Sequence, residues 1–262
     1  MGNRSALITV MTNAALKASK RLIRDFNEVE KLQVSQKGPG DFVTLADQRT
    51  ESFLKEELEK ARPDYGFIME ESGVIHGKDE EVYWVIDPID GTTNFLHGLP
   101  YFAINIALVQ IDPKKGLKVI AGVTYNPIAN ELFWAEEKCG AWCEDANGRL
   151  HKLGVSKRKE LDHAAIAVGS VTRDPEQAKI LASQVAAIRA IGSSALSLAY
   201  VAAGRADGFI QRKLYLWDVA AGVRMVQEAG GRVSLSCSTK NLAGHCHIIA
   251  ANNSLAKKLA FA

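Results

Sequence analysis

The stretch from Tyr83 to Phe95, Y-W-V-I-D-P-I-D-G-T-T-N-F, constrains the fold more than any other part of the chain. Tyr83 to Ile86 are aromatic and β-branched, the composition of a buried strand. Pro88 has no N–H for a sheet ladder and is expected to end that strand. Gly91, Thr92 and Thr93 then read as the start of a helix, whose unpaired N–H groups can hold an anion such as phosphate. Asp87 and Asp90 fall at the corner, where their charges would repel the same anion. A divalent cation removes the conflict, because Mg²⁺ favours hard oxygen ligands, typically one or two carboxylates plus substrate phosphate oxygens.

The remaining sequence is read for parts that would complete such a site. At 262 residues and 47% hydrophobic content, the chain can fill a sizeable core. It shows no linker, repeat or low-complexity segment, so residues 1–262 are read as one domain. A net charge of +2 gives no broad basic field for nucleic acid. The N-terminus lacks the pattern of a signal peptide, and no apolar run is long enough to span a membrane. Cys139, Cys143, Cys237 and Cys246 are too few and too irregular for a disulfide framework, which favours a reducing cytoplasm. His245-Cys246-His247 is a poor zinc site, since neighbours in an extended segment point to opposite faces.

Apolar spacing predicts helices over 5–26 and 44–61, the second stopped by Pro63. A polar turn, Lys37 to Asp41, lies between them. Strands are expected at 66–69 and 164–169, and at 101–109, 119–125 and 131–135, these last three giving a largely antiparallel sheet. Helices follow at 174–187, 193–204 and 219–229, with strands around 207–211, 232–235 and 247–250.

Several carboxylates stand at the ends of these elements, and each has an ordinary explanation. Asp47 has capping-box spacing from Thr44, yet shares a helical stripe with Glu51, Leu54 and Leu58, so it either caps the helix or orients a hydroxyl. Glu70-Glu71-Ser72 can be a solvated turn, although neighbouring strands would let Glu70 meet Asp87. Asp218 can be a helix N-cap. Gathered without a cation, Glu70, Asp87, Asp90 and Asp218 would raise one another's pKa values severely.

E-E-S at 70–72, W-V-I-D-P-I-D-G-T-T-N-F at 84–95 and W-D-V-A-A-G at 217–222, in that order, resemble the three signatures of the inositol monophosphatase family. D-x-V-T-x-x-D from Asp41 and E-A-G-G from Glu228 extend the resemblance over essentially the whole chain. It implies a layered αβαβα sandwich, α+β or α/β in class, of the inositol monophosphatase and fructose-1,6-bisphosphatase type. It further implies a cytoplasmic, lithium-sensitive homodimer using roughly two or three Mg²⁺ ions. Glu70, Asp87, the Ile89 carbonyl, Asp90 and Asp218 would hold the ions. Glu70, and Thr92 oriented by Asp47, would position and activate water for in-line attack. The amides of Gly91 and Thr92 would hold phosphate, while Asp90, Arg189, Ser194, Gln211 and Asp218 would face a small phosphorylated polyol.

Where the family usually carries a gripping Glu, this chain has Gln211, which should weaken polyol binding, because charge-assisted hydrogen bonds are about twice as strong as neutral ones. Arg212 and Lys213 either favour a second anionic group or are surface. A dehalogenase-type D-x-D-G-T motif is excluded, since Pro88 occupies its nucleophile position, and an EF-hand lacks its central glycine. The expected reaction is hydrolysis of inositol 1-phosphate. The alternatives are fructose 1,6-bisphosphate, histidinol phosphate or a 3′-phosphonucleotide as substrate, or a regulatory binding role on the same fold. The sequence indicates no protein or nucleic-acid partner.

Overall fold

The computed structural model describes residues 4–28, 34–38, 41–169, 171, 174–238 and 241–259. The chain opens with α1 (Ala6–Asn27), the short antiparallel pair β1 (Val34–Gly38) and β2 (Asp41–Thr44), and α2 (Leu45–Ala61). The tip of the expected polar turn, residues 39–40, lies outside the described residues. There follow β3 (Tyr65–Met69), β4 (Gly73–Ile75), β5 (Asp79–Asp90), the short α3 (Thr92–Leu96), β6 (Ala103–Asp112), β7 (Gly116–Asn126), β8 (Glu131–Glu136), β9 (Ala141–Glu144) and β10 (Leu150–Lys152). The C-terminal part holds β11 (Ala165–Val168), α4 (Pro175–Ala182), β12 (Ala187–Ala190), α5 (Ser194–Ala202), β13 (Gly208–Leu214), α6 (Leu216–Glu228), β14 (Arg232–Ser236), β15 (Cys246–Ala251) and α7 (Asn253–Leu259).

These strands form an eight-stranded sheet ordered β10-β9-β8-β7-β6-β5-β3-β4 and a five-stranded sheet ordered β12-β11-β13-β15-β14. In the larger sheet only β3 and β5 pair in parallel. Alternation along the strands separates the layers. Phe67, Met69, Trp84 and Ile86 pack with Met11, Leu22, Leu54 and Leu58 of α1 and α2. Ile68, Tyr83 and Val85 face the opposite way, into a core with Leu198, Ala220 and Val223 of α5 and α6 and with Phe209 and Ile248 of the smaller sheet. Ile166 and Ile210 of that sheet turn their outer side to Leu181 and to Leu255 and Leu259 of α7. The result is the expected αβαβα sandwich, with α5 and α6 as its middle layer.

Three local expectations change. Strand β5 does not stop at Pro88 but continues to Asp90 through a bulge in its pairing with β6 between Asp87 and Asp90. A bulge tolerates a residue without an N–H, and β3 no longer pairs beyond Ile86. The helix expected over 174–187 ends at Ala182, and Ala187–Ala190 forms an edge strand parallel to β11. Its β-branched Ile188 fits that edge better than a helix. Cys237 is bonded to Cys246, so spacing too irregular for a disulfide framework still admits this one disulfide. Ser236 pairs with His247 in the β14–β15 ladder, which sets the two cysteines opposite each other. The same bond uses the Cys246 sulfur and closes the zinc reading.

Candidate metal centre

Period-two alternation sends Glu70, after Ile68, and Asp87, after Val85, toward the middle layer. Because Met69 pairs with Ile86 as the last pair of the parallel β3–β5 ladder, the two carboxyls lie side by side just past it and hydrogen-bond each other. Such a bond between two acids requires a proton. Burial raises the pKa of Glu70 well above its usual range, and the charge of Asp218 adds to it. Asp87 is raised likewise, by burial first and then by Glu70, Asp90 and Asp218.

The bulge turns Asp90 toward α5. Ser193 Oγ and Ala195 N donate to Asp90 Oδ2, the latter at 2.8 Å, and Ser194 N donates to Oδ1 at 3.3 Å. Burial pushes Asp90 up to about 6, and these three donors moderate the rise. Asp218 is not the N-cap of α6 but its third residue, with Oδ2 accepting from Tyr215 N at 2.6 Å. That bond anchors the carboxylate at the helix start, in the manner of the third residue of a capping box. Carboxylate oxygens of Asp87, Asp90 and Asp218 lie within 4.8 Å of one another.

On the other side of the corner, Asp47 caps α2 and also lies beside the Thr92 hydroxyl. Its Oδ2 accepts from Thr44 N at 2.8 Å and Thr44 Oγ1 at 2.7 Å, completing the capping box. Its Oδ1 lies 3.4 Å from Thr92 Oγ1, which also lies 3.1 Å from the Ile89 carbonyl. A hydroxyl carries one proton, so these two acceptors compete for it. Burial raises Asp47 to about 6.

Gly91 adopts φ +98°, and a Cβ there would lie 3.0 Å from the Tyr101 carbonyl and 3.1 Å from that of Gly192. The corner therefore needs glycine. Helix α3 has only five residues, so local amides rather than a long dipole are available to an anion. Asn94 fixes the loop around it, donating to the Tyr101 carbonyl at 2.7 Å and the Ile191 carbonyl at 2.8 Å.

Ser194 and Gln211 come together around Gly169, where a Cβ would meet Ser194 Oγ and Gln211 Cγ at 3.2 Å each. Gln211 is 2% exposed; its Oε1 accepts from Gly169 N at 3.0 Å and its Nε2 donates to the Arg212 carbonyl at 3.2 Å. Arg189 is exposed on edge strand β12, with Nη1 donating to the Ile188 carbonyl at 3.0 Å. Arg212 is exposed and 3.8 Å from Asp174, which fits a surface role.

Sequence reading passed over Ser193, Asn94 and Asn105. Buried Asn105, opposite Asp87 on β6, donates to the Trp217 carbonyl at 2.6 Å and accepts from Thr124 Oγ1 at 2.7 Å. Its signal was a polar residue inside the apolar run A-I-N-I-A. The acidic, all-oxygen donor set fits a hard divalent cation such as Mg²⁺.

Fold and site together define an αβαβα protein with a carboxylate cluster able to hold a cation where the larger sheet meets its middle helices. The chain belongs to the inositol monophosphatase family, whose sequence profile matches residues 3–262. An inositol-1-monophosphatase of Caulobacter vibrioides is 48% identical over 231 residues, covering 86% of this chain and 87% of that protein. The Nus factor SuhB of Escherichia coli K12 is 39% identical over 260 residues, covering 97% and 94%. The crystal structure of extragenic suppressor protein suhB from Bartonella henselae superposes with a TM-score of 0.86 at 44% identity, covering 97% of each chain.

Proposed function

We propose that this chain is a Mg²⁺-dependent phosphomonoester hydrolase acting on inositol 1-phosphate or a closely related polyol phosphate. The observation that carries the reading is the convergence of Asp87, Asp90 and Asp218, with Glu70 bonded to Asp87, beside the Gly91–Thr92 corner. Glu70, Asp87, the Ile89 carbonyl, Asp90 and Asp218 are the groups that would hold the ions. Bound there, Mg²⁺ would lower the pKa of water and neutralise the attacked phosphate and the departing alkoxide.

The protein's own groups do the rest. Glu70 orients and deprotonates the attacking water. Asp47 is a carboxylate at neutral pH, given a pKa of about 6, and draws the Thr92 proton toward itself. The Thr92 lone pairs are then free to accept from that water. The Gly91 and Thr92 amides take the phosphate, and Ser194 and Gln211 face the alcohol. Arg189 is retained as a substrate contact on family resemblance alone. A homodimer belongs to the same reading, and the exposed Leu99 and Tyr101, each 47% exposed, support a covered surface near Asn94.

Phosphate release from inositol 1-phosphate, fructose 1,6-bisphosphate, histidinol phosphate and a 3′-phosphonucleotide, with and without Mg²⁺ and lithium, tests the reading. No turnover of inositol 1-phosphate would sink the first choice, and full activity in Asp90→Asn would refute the cation assignment. The name of the Escherichia coli relative supports a second reading, a regulatory binding role on the same fold. Recovery of a stoichiometric protein partner without any hydrolysis would favour it.

A further inference from the structure

We infer that Glu51 is a positioning residue that fixes Glu70 by gripping the turn that follows it. Glu51 sits on α2, one helical turn after Asp47 and on the same face as Leu54 and Leu58. It is 2% exposed, and a carboxylate so buried is costly unless its oxygens are bonded. Both are bonded, and to one place: Oε2 accepts from Glu71 N at 2.8 Å and Oε1 accepts from Ser72 Oγ at 2.6 Å. Met69 pairs with Gly73 across this turn, so Glu70 is the first residue of a tight connection between β3 and β4. Two charge-assisted bonds hold the connection from below.

The whole E-E-S motif acquires a role in this way. Glu70 faces the carboxylate cluster, while the Glu71 amide and the Ser72 hydroxyl serve Glu51. Helix α2 thereby governs both sides of the site. Asp47 reaches Thr92 and Glu51 reaches the Glu70 turn, so one rigid helix sets the spacing between the two groups that prepare the water. The kinetic part of this inference rests on the phosphatase reading; the cation-binding part does not.

Mg²⁺ binding by isothermal titration calorimetry and steady-state phosphate release test it on the full chain. Partners that orient metal ligands from behind typically cost about 10–100-fold in affinity or activity when removed. Glu51→Ala is expected to weaken Mg²⁺ binding about tenfold and to lower kcat by a similar factor, with KM for the phosphate ester changed by less than about threefold. Glu51→Gln is expected to restore most of both, because its carbonyl still accepts from Glu71 N and its amide can donate to Ser72 Oγ, a hydroxyl able to accept. A folded Glu51→Ala that binds Mg²⁺ and turns over like wild type overturns the inference. So does Glu51→Gln falling as far as Glu51→Ala.

Should Glu51→Ala not fold, Ser72→Ala decides, since Ser72 is exposed and its hydroxyl is not part of the core. Weakened Mg²⁺ binding there supports the inference, and wild-type binding with wild-type kcat ends it. If the wild-type chain releases no phosphate but Glu51→Ala still weakens Mg²⁺ binding, the positioning role stands and the phosphatase reading falls.

Discussion

Glu70 and Asp87 hydrogen-bond each other just past the end of the parallel β3–β5 pairing, a contact that two carboxyls make only with a proton between them. A site that must hold such a proton when no cation is bound stores a pH-dependent cost. Asp47 and Asp90 rise from 3.8 to about 6, and Glu70 and Asp87 are held well above their usual range. Above pH 3.8 the unfolded chain has released protons that the folded protein still binds. The contribution of these groups to stability is therefore greatest at low pH and falls as pH rises through about 6.

In chelator, the melting temperature should then fall between about pH 5 and 8, and millimolar Mg²⁺ should remove most of that fall. Scanning calorimetry across this range checks it. A chelated protein that gains stability toward pH 8 would contradict the burial of these carboxyls.

Glu70→Gln separates stability from activity. The amide can donate to Asp87 without needing the shared proton, so the metal-free variant should melt higher than wild type at pH 8. A shift of about 2–4 °C is expected for each kcal/mol recovered in a chain of this size. Phosphate release should fall at least about a hundredfold, because an amide is a weaker ligand for a hard cation than a carboxylate and does not take a proton.

What sequence could show was set by how locally each feature is determined. The turn at Gly91 into the Thr92 helix, the Thr44–Asp47 cap and the strand-end position of Glu70 follow from neighbouring residues, and the structure has them; the expected stop at Pro88 gives way to a bulge set by pairing with β6. Ser193 and Asn105 acquire meaning only through partners 103 and 112 residues away. The Cys237–Cys246 bond depends on the register of β14 against β15, which spacing alone does not supply. Strand β12 is an edge defined by its pairing with β11, so its local composition could not separate it from the helix before it.

Ser193→Ala tests how Asp90 is kept ionised. Hydrogen bonds to the charged form lower a carboxyl pKa, and the Ser193 hydroxyl is the foremost of the groups doing so for Asp90. Its removal should move the acid limb of the kcat/KM profile to higher pH. Ser193 also caps α5, so stability should drop by about 1 kcal/mol. Ser193→Thr keeps the hydroxyl and should leave the limb in place, which distinguishes the electrostatic effect from loss of the cap.

Gln211→Glu asks whether this residue limits polyol binding. The carboxylate would keep the bond from Gly169 N but would oppose the Arg212 carbonyl that the amide now serves. KM for inositol 1-phosphate should fall several-fold while thermal stability drops by about 1 kcal/mol. An unchanged KM, with the stability loss present, would assign Gln211 to holding β11 against β13 and not to substrate choice.

Asn105 joins the two halves of the cation site. It stands opposite Asp87 in the β5–β6 ladder and holds the Trp217 carbonyl, the residue before Asp218, while Thr124 fixes its own carbonyl oxygen. Asn105→Ala leaves buried polar groups without partners, at a cost of about 1–3 kcal/mol. It should also let the start of α6 drift from Asp87, weakening Mg²⁺ binding about tenfold. Thr124→Val removes only the hydroxyl behind Asn105 and should show a smaller loss in the same direction. If Thr124 acts through Asn105, the double variant should lose little more than Asn105→Ala alone. Additive losses in Mg²⁺ affinity would instead mean that each side chain supports the site independently, and Asn105 would no longer be the link between Asp87 and Asp218.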